Sequence, residues 1–153
     1  MYSIQPATLC DIRAIYQLER EIFPKDAYPY VDLAMLLSMP GMTNYKATAS
    51  EAATSPNSLL GFVAMSGAGV GQRPAWIITL GVANHAQRRG IGEALMHAVE
   101  SRSRAKCLQL TVRAGNQAAR QLYEKLGYSF VNRHRGYYRD GEDGLIMQKR
   151  LQP

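Results

Sequence analysis

A short glycine-containing segment between an apolar run and an amphipathic pattern has the residue types of a ligand-binding turn. The apolar run covers residues 76–82, and after the turn Ile91, Leu95 and Val99 recur at the spacing of one helix face. Glycine lets the backbone approach a ligand, and the first turn of a helix offers unpaired N–H groups under a positive macrodipole. The sequence therefore predicts a phosphate-binding turn between a strand and a helix, made by Gln87, Arg88, Arg89, Gly90, Ile91 and Gly92.

The charge distribution agrees with a phosphate-bearing ligand. Residues 1–84 carry five Lys and Arg against six Asp and Glu, whereas residues 85–153 carry thirteen against six, which produces the net charge of +6. The glycine turn lies in the basic part, whose field attracts the phosphates of a nucleotide or of nucleic acid. A solvated basic surface that only aids solubility explains the same charge, so charge alone does not decide between these interpretations.

Length and composition favour one globular domain. The 153 residues, 46% of them hydrophobic, suffice for one core and are few for two, so residues 1–153 are assigned to a single domain. The apolar runs are too short for a membrane span and no leader pattern is present, which predicts a cytoplasmic protein that does not enter a membrane. Two distant cysteines and three scattered histidines have no metal-ligand spacing, so we expect no metal site.

The rest of the pattern predicts the elements that must hold the turn. Helices are predicted from Thr8 to Phe23-Pro24, over 31–38 and 90–104, and from the cap Asn116 to Gly127. Strands are predicted at 44–50, 58–65, 75–83, 107–113, 128–135 and 144–151, with loops at 51–57 and 67–74. This order predicts an α/β protein whose mixed sheet carries helices on both faces. The strands at 75–83 and 107–113, joined through a helix, should be parallel.

Two motifs resemble those of the GNAT superfamily of acyl-CoA-dependent N-acetyltransferases. The family's pyrophosphate motif, Q/R-x-x-G-x-G/A, is matched by Gln87, Gly90 and Gly92, and its later segment, N-x-x-A-x-x-L-Y-x-x-x-G-F/Y, is matched by residues 116–128. Together the two motifs cover roughly residues 75–151. The resemblance implies a three-layer fold with about six or seven mixed strands, and transfer of an acetyl group from acetyl-CoA to a primary amine.

The resemblance also implies where acetyl-CoA binds. Backbone N–H groups near the glycine turn would hold the pyrophosphate, and divergence of the strand at 75–83 from that at 107–113 would free backbone groups for the pantetheine arm. The cofactor-binding residues assigned in this way are Leu80, Gly81, Val82, Gln87, Arg88, Arg89, Gly90, Ile91, Gly92, Asn116 and Ala119. The residues by themselves also allow a purely structural interpretation, in which the glycines permit a tight turn and Asn116 only caps a helix.

Tyr123 matches the family's tyrosine that donates a proton to the coenzyme A sulfur, so the resemblance implies a general acid at this position. Its spacing from Ala119 and Leu122 on a helix face suits a packed core aromatic equally well. The sequence therefore leaves both interpretations of Tyr123 open.

A closer resemblance is to protein N-terminal acetyltransferases, including the bacterial enzymes that modify ribosomal-protein alanine termini. Those enzymes carry an aromatic-proline loop after the first helix and a Tyr-Tyr pair between the last two strands, which grip the start of a peptide. The matching residues here are Phe23, Pro24, Tyr28, Tyr137 and Tyr138. A packing role for the same aromatic side chains stays open.

The chain departs from these enzymes at the general base. Thr111 stands where bacterial members have a glutamate and some eukaryotic members a histidine, and Trp76 stands where the latter have a tyrosine. Neither side chain can accept the proton of the acceptor amine. That proton must then pass through ordered water to another group, or be lost to bulk solvent. An α-amino group, with a pKa of about 7.7–8.0, tolerates a missing base better than a lysine amine at about 10.4. His85 and His134 are the nearest imidazoles in sequence and are expected at the surface.

Three other functions stay open at this stage. A small-molecule acetyltransferase acting on a polyamine, an amino acid or an antibiotic would line its site with carboxylates, for which the candidates are Glu19, Glu21, Asp26 and Asp32. A catalytically idle acyl-CoA-binding domain is compatible with the missing base. Nucleic-acid binding by the basic half is disfavoured, because the chain has no recognised reading motif and few aromatic residues interleaved with its charges. The pattern does not specify an oligomeric state.

Overall fold

Seven strands form one mixed sheet in a computed structural model of the chain, which describes residues 1–50, 58–67 and 73–152. The strands are β1 (Tyr2–Pro6), β2 (Thr43–Ala49), β3 (Leu59–Ser66), β4 (Ala75–Val82), β5 (Cys107–Arg113), β6 (Ser129–His134) and β7 (Gly144–Arg150). The helices are α1 (Ile12–Ile22), α2 (Tyr30–Ser38), α3 (Ile91–Arg102) and α4 (Gln117–Lys125). Across the sheet the order is β1-β2-β3-β4-β5-β7-β6, and β4 with β5 is its parallel pair.

The predicted elements are confirmed, with one addition. Strand β1 was not predicted, although Tyr2 and Ile4 alternate with polar residues; it pairs antiparallel with β2 at the edge of the sheet. The alternation of apolar and polar residues covers only five positions directly before a helix, which is too short to predict a strand. The predicted turn at 51–57, and the loop at 67–74 apart from its ends, lie outside the described residues.

Helices cover both faces of the sheet, as predicted. A Cβ placed on Gly61 of β3 would lie 3.0 Å from Leu95 Cδ1 of α3, whereas one on Gly81 of β4 would lie 2.8 Å from Ile22 Cδ1 of α1. Gly81 pairs with Phe62, the residue after Gly61. Since successive strand residues point to opposite faces, α3 and α1 pack on opposite sides. The two glycines permit this close approach.

The core lies between these layers and fixes their positions. Burial of each large apolar side chain contributes about 1.5–3 kcal/mol relative to exposure. The largest fully buried side chains come from both helix layers and from the sheet: Phe62, Ile15, Leu33, Met65, Ile91, Leu95, Met96, Leu108, Leu110, Val63 and Val99.

None of the described helices is long and apolar enough to cross a bilayer.

The parallel pair β4–β5 separates after three residues. Its pairing ends at Ile77 opposite Leu110, while β4 continues to Val82 and β5 to Arg113. The β3–β4 register shifts at the same level, between Ala64 and Met65, and such a bulge bends the strand and increases its twist. The separated halves therefore present backbone groups to a gap in the middle of the sheet. This is the divergence that the resemblance implied.

Candidate functional site

A cleft of about 800 Å³ lies where β4 and β5 separate. Its walls come from the end of α1 and the segment that follows it, from both strands, from α4 and from the turn that precedes β7. A volume of this size suits a small ligand or the end of a larger one. The sequence-predicted site residues that line the cleft are Phe23, Pro24, Tyr28, Leu80, Gln87, Asn116, Ala119, Tyr123, Tyr137 and Tyr138.

The other predicted cofactor residues do not line the cleft. Gly81 and Ile91 pack into the protein, and a Cβ on Gly92 would approach Leu122 Cδ2 of α4 to 3.2 Å, so these positions can offer a ligand only backbone groups. Val82 ends β4. Three residues continue from Gln87 along the exposed turn before α3: Arg88, Arg89 and Gly90.

The turn itself has the backbone shape expected of a ligand cradle. Gly90 caps α3 with φ +78°, and Arg88 also has a positive φ of 63°, a conformation that costs a non-glycine residue about 1–2 kcal/mol. The Gln87 side chain donates to the Val82 carbonyl and to Asn84 Oδ1, both at 3.2 Å, and so holds the loop. The first N–H groups of α3 lack carbonyl partners within the helix and lie next to this exposed turn.

Helix α4 brings Tyr123 to the cleft. The Asn116 side-chain oxygen accepts the Ala119 N–H at 3.2 Å, which confirms the predicted cap. Tyr123 is 7% exposed and meets Tyr128 edge-on, with ring centroids 5.9 Å apart. Its hydroxyl makes no hydrogen bond to the described residues. Burial raises the pKa of Tyr123, so the phenol stays protonated at neutral pH and can donate.

Aromatic side chains from two other segments also line the cleft. The Tyr28 hydroxyl donates to the Ile78 carbonyl at 3.5 Å, a long hydrogen bond. Tyr137 and Tyr138 meet edge-on at 5.0 Å, and Tyr137 is half exposed. Burial raises the pKa of Tyr138 to about 12. These residues come from two segments far apart in sequence, so the structure brings the predicted aromatic groups to one place.

Arg113 joins those two segments, a role that the sequence did not reveal. From the end of β5, its guanidinium donates to both Asp26 oxygens at 2.7 Å, and to Asp140 and Glu142 at 3.0 Å. It also lies over the Tyr138 ring, 4.1 Å from the centroid. The backbone N–H of Glu142 and then Arg113 lower the pKa of Asp140 to about 2. We call Arg113 with its three carboxylates the arginine clamp.

Glu19 is a second residue of the cleft, which the sequence indicated only as one of four candidate carboxylates for a small-molecule site. It is 3% exposed, and its Oε1 accepts a hydrogen bond of 2.6 Å from the Thr79 hydroxyl of β4. Its other oxygen, Oε2, is buried and has no hydrogen-bond partner in the described part of the chain. Burial raises the pKa of Glu19, and the Thr79 hydrogen bond and a weaker interaction with the Tyr28 backbone N–H oppose this. The sequence feature that could have indicated its burial is its position, one turn from both Ile15 and Ile22 on the apolar face of α1.

The other residues considered for proton transfer either cannot titrate or lie at the protein surface. Trp76 and Thr111 both line the cleft, so the positions of the family's bases hold no titratable group. His85 and His134 are exposed, as expected. Within 1–50, 58–67 and 73–152, no group of three or more His, Cys, Asp or Glu is arranged to hold a metal ion.

Comparison with known proteins gives consistent matches. The acetyltransferase (GNAT) family model matches residues 12–128. The chain is 28% identical to an N-alpha-acetyltransferase of Saccharolobus solfataricus, over 98% of this chain and 93% of that protein. The crystal structure of the ribosomal-protein-S18-alanine N-acetyltransferase from Escherichia coli matches with a TM-score of 0.83 and 27% identity, over 100% and 96% of the chains. Arabidopsis thaliana NAA60 in complex with acetyl-CoA matches in fold, with a TM-score of 0.86 and 22% identity over 99% of each chain.

Proposed function

This chain belongs to the acetyltransferase (GNAT) family and is an acetyl-CoA-dependent N-acetyltransferase, and we propose that its acceptor is the N-terminal α-amino group of a peptide or protein. The similar archaeal and bacterial proteins carry names of that activity. The predicted family and mixed α/β fold are confirmed. The choice of acceptor depends on the geometry of the aromatic end of the cleft.

The aromatic slot is the observation that best supports a peptide acceptor. Tyr28 on one side and Tyr137 with Tyr138 on the other border the cleft, and the arginine clamp ties the two segments together. A slot with fixed aromatic walls admits an extended main chain and leaves its polar groups free to bond. It suits a peptide terminus better than a flexible polyamine, whose amines need carboxylates along their length.

The part of the cleft lined by Gln87, Asn116 and Ala119 would take acetyl-CoA, with which the structurally similar NAA60 was solved. The exposed turn at Arg88–Gly90 and the first amides of α3 would hold the pyrophosphate, with Gln87 shaping the loop. The separated β4 residues from Leu80 to Val82 would offer backbone groups to the pantetheine arm and the thioester carbonyl, next to Ala119 and Asn116 on α4. The bound thioester supplies the acetyl group.

Acetyl transfer needs a neutral amine, stabilisation of the oxyanion and a proton for the departing thiolate. Tyr123 is the donor for the thiolate, because its buried phenol is protonated and its hydroxyl has no partner among the described residues. Backbone N–H groups of the separated β4 would stabilise the oxyanion. A general acid of this kind contributes about 10²–10⁴ in rate.

The small-molecule alternative has less support. Of the four carboxylates that it would use, Asp26 is held by Arg113 and Glu21 accepts the Asn84 N–H at 3.1 Å. Asp32 lies in the first turn of α2. Only Glu19 among the four has a free oxygen in the cleft wall, and one carboxylate does not make a polyamine site.

A peptide panel tests the acceptor. Peptides that differ in their first two residues are incubated with the enzyme and acetyl-CoA, with spermidine and free lysine as small-amine controls, and products are identified by mass spectrometry. We expect acetylation of a subset of peptides and little acetylation of the controls. Turnover of spermidine or lysine without turnover of any peptide would refute the proposed acceptor.

A further inference from the structure

The carboxylate of Glu19 has an oxygen that no described protein group satisfies. Oε1 is engaged by Thr79, whereas Oε2 is buried without a partner, and the side chain as a whole is 3% exposed. Buried polar atoms in native proteins nearly always have a partner, so an exception in the wall of a ligand cleft calls for an explanation. A ligand that donates a hydrogen bond there would supply the missing partner.

The position of Glu19 suits contact with the acceptor amine. Thr79, its partner, lies on the part of β4 that has separated from β5, and both residues line the cleft. Burial and then the charge of Glu19 raise the pKa of the Tyr28 phenol, so Glu19 lies close to this wall of the aromatic slot. Glu19 therefore lies between the slot for the peptide and the open edge of β4.

The surroundings of Glu19 contain no competing cation among the described residues that face it. The segment after α1 contributes Tyr28, whose backbone N–H interacts with the carboxylate. Asp32 of α2 and Tyr137 of the turn before β7 lie near Tyr28 and act on its phenol. From β4 and β5 the nearby side chains are the uncharged Thr79, Trp76 and Thr111. Lys25 and Arg113 also line the cleft, and other carboxylates bind both of them: Lys25 pairs with Asp140 at 3.3 Å, and Arg113 with Asp26, Asp140 and Glu142. A substrate ammonium group is thus the cation that this carboxylate can take.

We propose that Glu19 is the proton acceptor for the acceptor amine, with Oε2 receiving a hydrogen bond and then a proton from the bound α-ammonium group. The inference rests on the proposed function and supplies the base that Trp76 and Thr111 cannot provide. Because Glu19 belongs to α1, the base would come from a helix and not from either of those strand positions.

The step balances in atoms and charge. One proton passes from the ammonium group to Oε2, and the neutral nitrogen attacks the thioester carbonyl carbon. The C–N bond forms, the C–S bond breaks, and the sulfur leaves with the phenolic proton of Tyr123, which recovers a proton from the attacking nitrogen. Glu19 then releases its proton to water in the cleft, so the net products are the amide, the free thiol and one proton.

The pH dependence of kcat/KM for a good peptide tests this role. The acid limb is the fall of kcat/KM at low pH. If Glu19 accepts the proton, the midpoint of this limb in the wild type reflects the carboxyl group and lies below the amine pKa of about 7.7–8.0. In Glu19→Gln the limb should move up to the amine pKa, because only the neutral amine then reacts. About 6% of an amine of pKa 7.7 is neutral at pH 6.5, so the wild-type to variant ratio should grow between pH 9 and pH 6.5 by up to about fifteenfold, the full factor being reached if Glu19 stays ionised over this range.

A structural role for Glu19 would give a different result. Loss of packing would lower activity by the same factor at every pH and leave the acid limb in place, which would overturn the inference. Glu21→Gln is the matched control, because it removes the same charge from the same helix at a residue that binds the Asn84 N–H. Its acid limb should lie at the same pH as in the wild type, whatever change in overall rate comes from the contact with Asn84. Glu19→Asp should restore part of the low-pH activity.

Two further measurements keep the test decisive. If Glu19→Gln fails to fold, as judged by its melting curve, the wild-type profile alone decides, because an acid limb at the amine pKa would overturn the inference. If the wild type acetylates small amines but no peptide, the proposed acceptor fails, and the same profile recorded with the reactive amine still tests Glu19. The two failures are therefore distinguishable.

Discussion

Replacing Arg113 with alanine should weaken peptide binding more than acetyl-CoA binding, and should lower stability. The side chain is 17% exposed and makes two bonds of 2.7 Å to Asp26, which is 25% exposed. Hydrogen bonds between charged groups contribute about 1.5–3 kcal/mol when shielded, so loss of this partly shielded pair should cost about 2 kcal/mol. For a chain of this size the melting temperature should fall by about 4–8 °C.

The kinetic consequence follows from what the arginine clamp holds. It ties the segment after α1 to the turn before β7, and these segments carry Tyr28 and Tyr138. We expect the peptide KM to rise at least about tenfold, which corresponds to about 1.4 kcal/mol of lost binding, while the dissociation constant of CoA changes little. Steady-state kinetics at saturating acetyl-CoA and calorimetry with CoA measure the two effects separately.

Two variants serve as comparisons for Arg113→Ala. Arg133→Ala removes an arginine that pairs with Asp143 at 2.9 Å but is 52% exposed, so it should change neither KM nor the melting temperature appreciably. Arg113→Lys keeps the charge but loses the bidentate geometry and should fall between the alanine variant and the wild type. An unchanged peptide KM in a folded Arg113→Ala protein would refute the positioning role of the clamp.

Three other predictions follow from the site. Tyr123→Phe should slow turnover by about 10²-fold or more while CoA binding stays nearly intact; unchanged single-turnover rates would remove Tyr123 from the role of proton donor. Gly90→Val should weaken CoA binding more than about tenfold, whereas the positive φ at this position should lower the free energy of unfolding by only about 1–2 kcal/mol. If the loss of binding free energy measured by calorimetry were no larger than the loss of stability measured by melting, Gly90 would have a purely structural role. The backbone N–H of Glu142 and then Arg113 lower the pKa of Asp140, so its ionised form stabilises the folded state above the ordinary value near 3.8, and this stabilisation is lost as pH falls through about 2. Because Arg113→Ala removes only the second cause, the melting-temperature difference between wild type and this variant should shrink in part between pH 4 and pH 2. A difference as large at pH 2 as at pH 4 would contradict this.

The turn before α3 could be predicted from sequence because its signals are local. Glycines, an apolar run and helical spacing lie within about twenty residues, and Asn116 caps α4 by contact with Ala119 three residues on. Local preferences determine such features before any tertiary contact forms. The divergence of β4 and β5 came from the resemblance, not from periodicity.

The arginine clamp and the role of Glu19 depend on contacts between distant parts of the chain. Arg113 and Asp26 are 87 residues apart, and Glu19 and Thr79 are 60 apart. Alternation along β5 places Arg113 on one face of a strand but does not identify its partners, so nothing in the sequence links it to Asp140 and Glu142. The single-domain assignment, the cytoplasmic location and the individual cofactor contacts stay predictions.

The acceptor atom tests the central claim most directly. A peptide that the enzyme accepts, carrying a free N-terminus and one internal lysine, is acetylated to single turnover and its fragment ions are mapped by tandem mass spectrometry. The aromatic slot and the free oxygen of Glu19 predict that the acetyl group is found on the α-nitrogen of the first residue. An acetyl group found on the lysine side chain, with the α-amino group unmodified, would contradict the account.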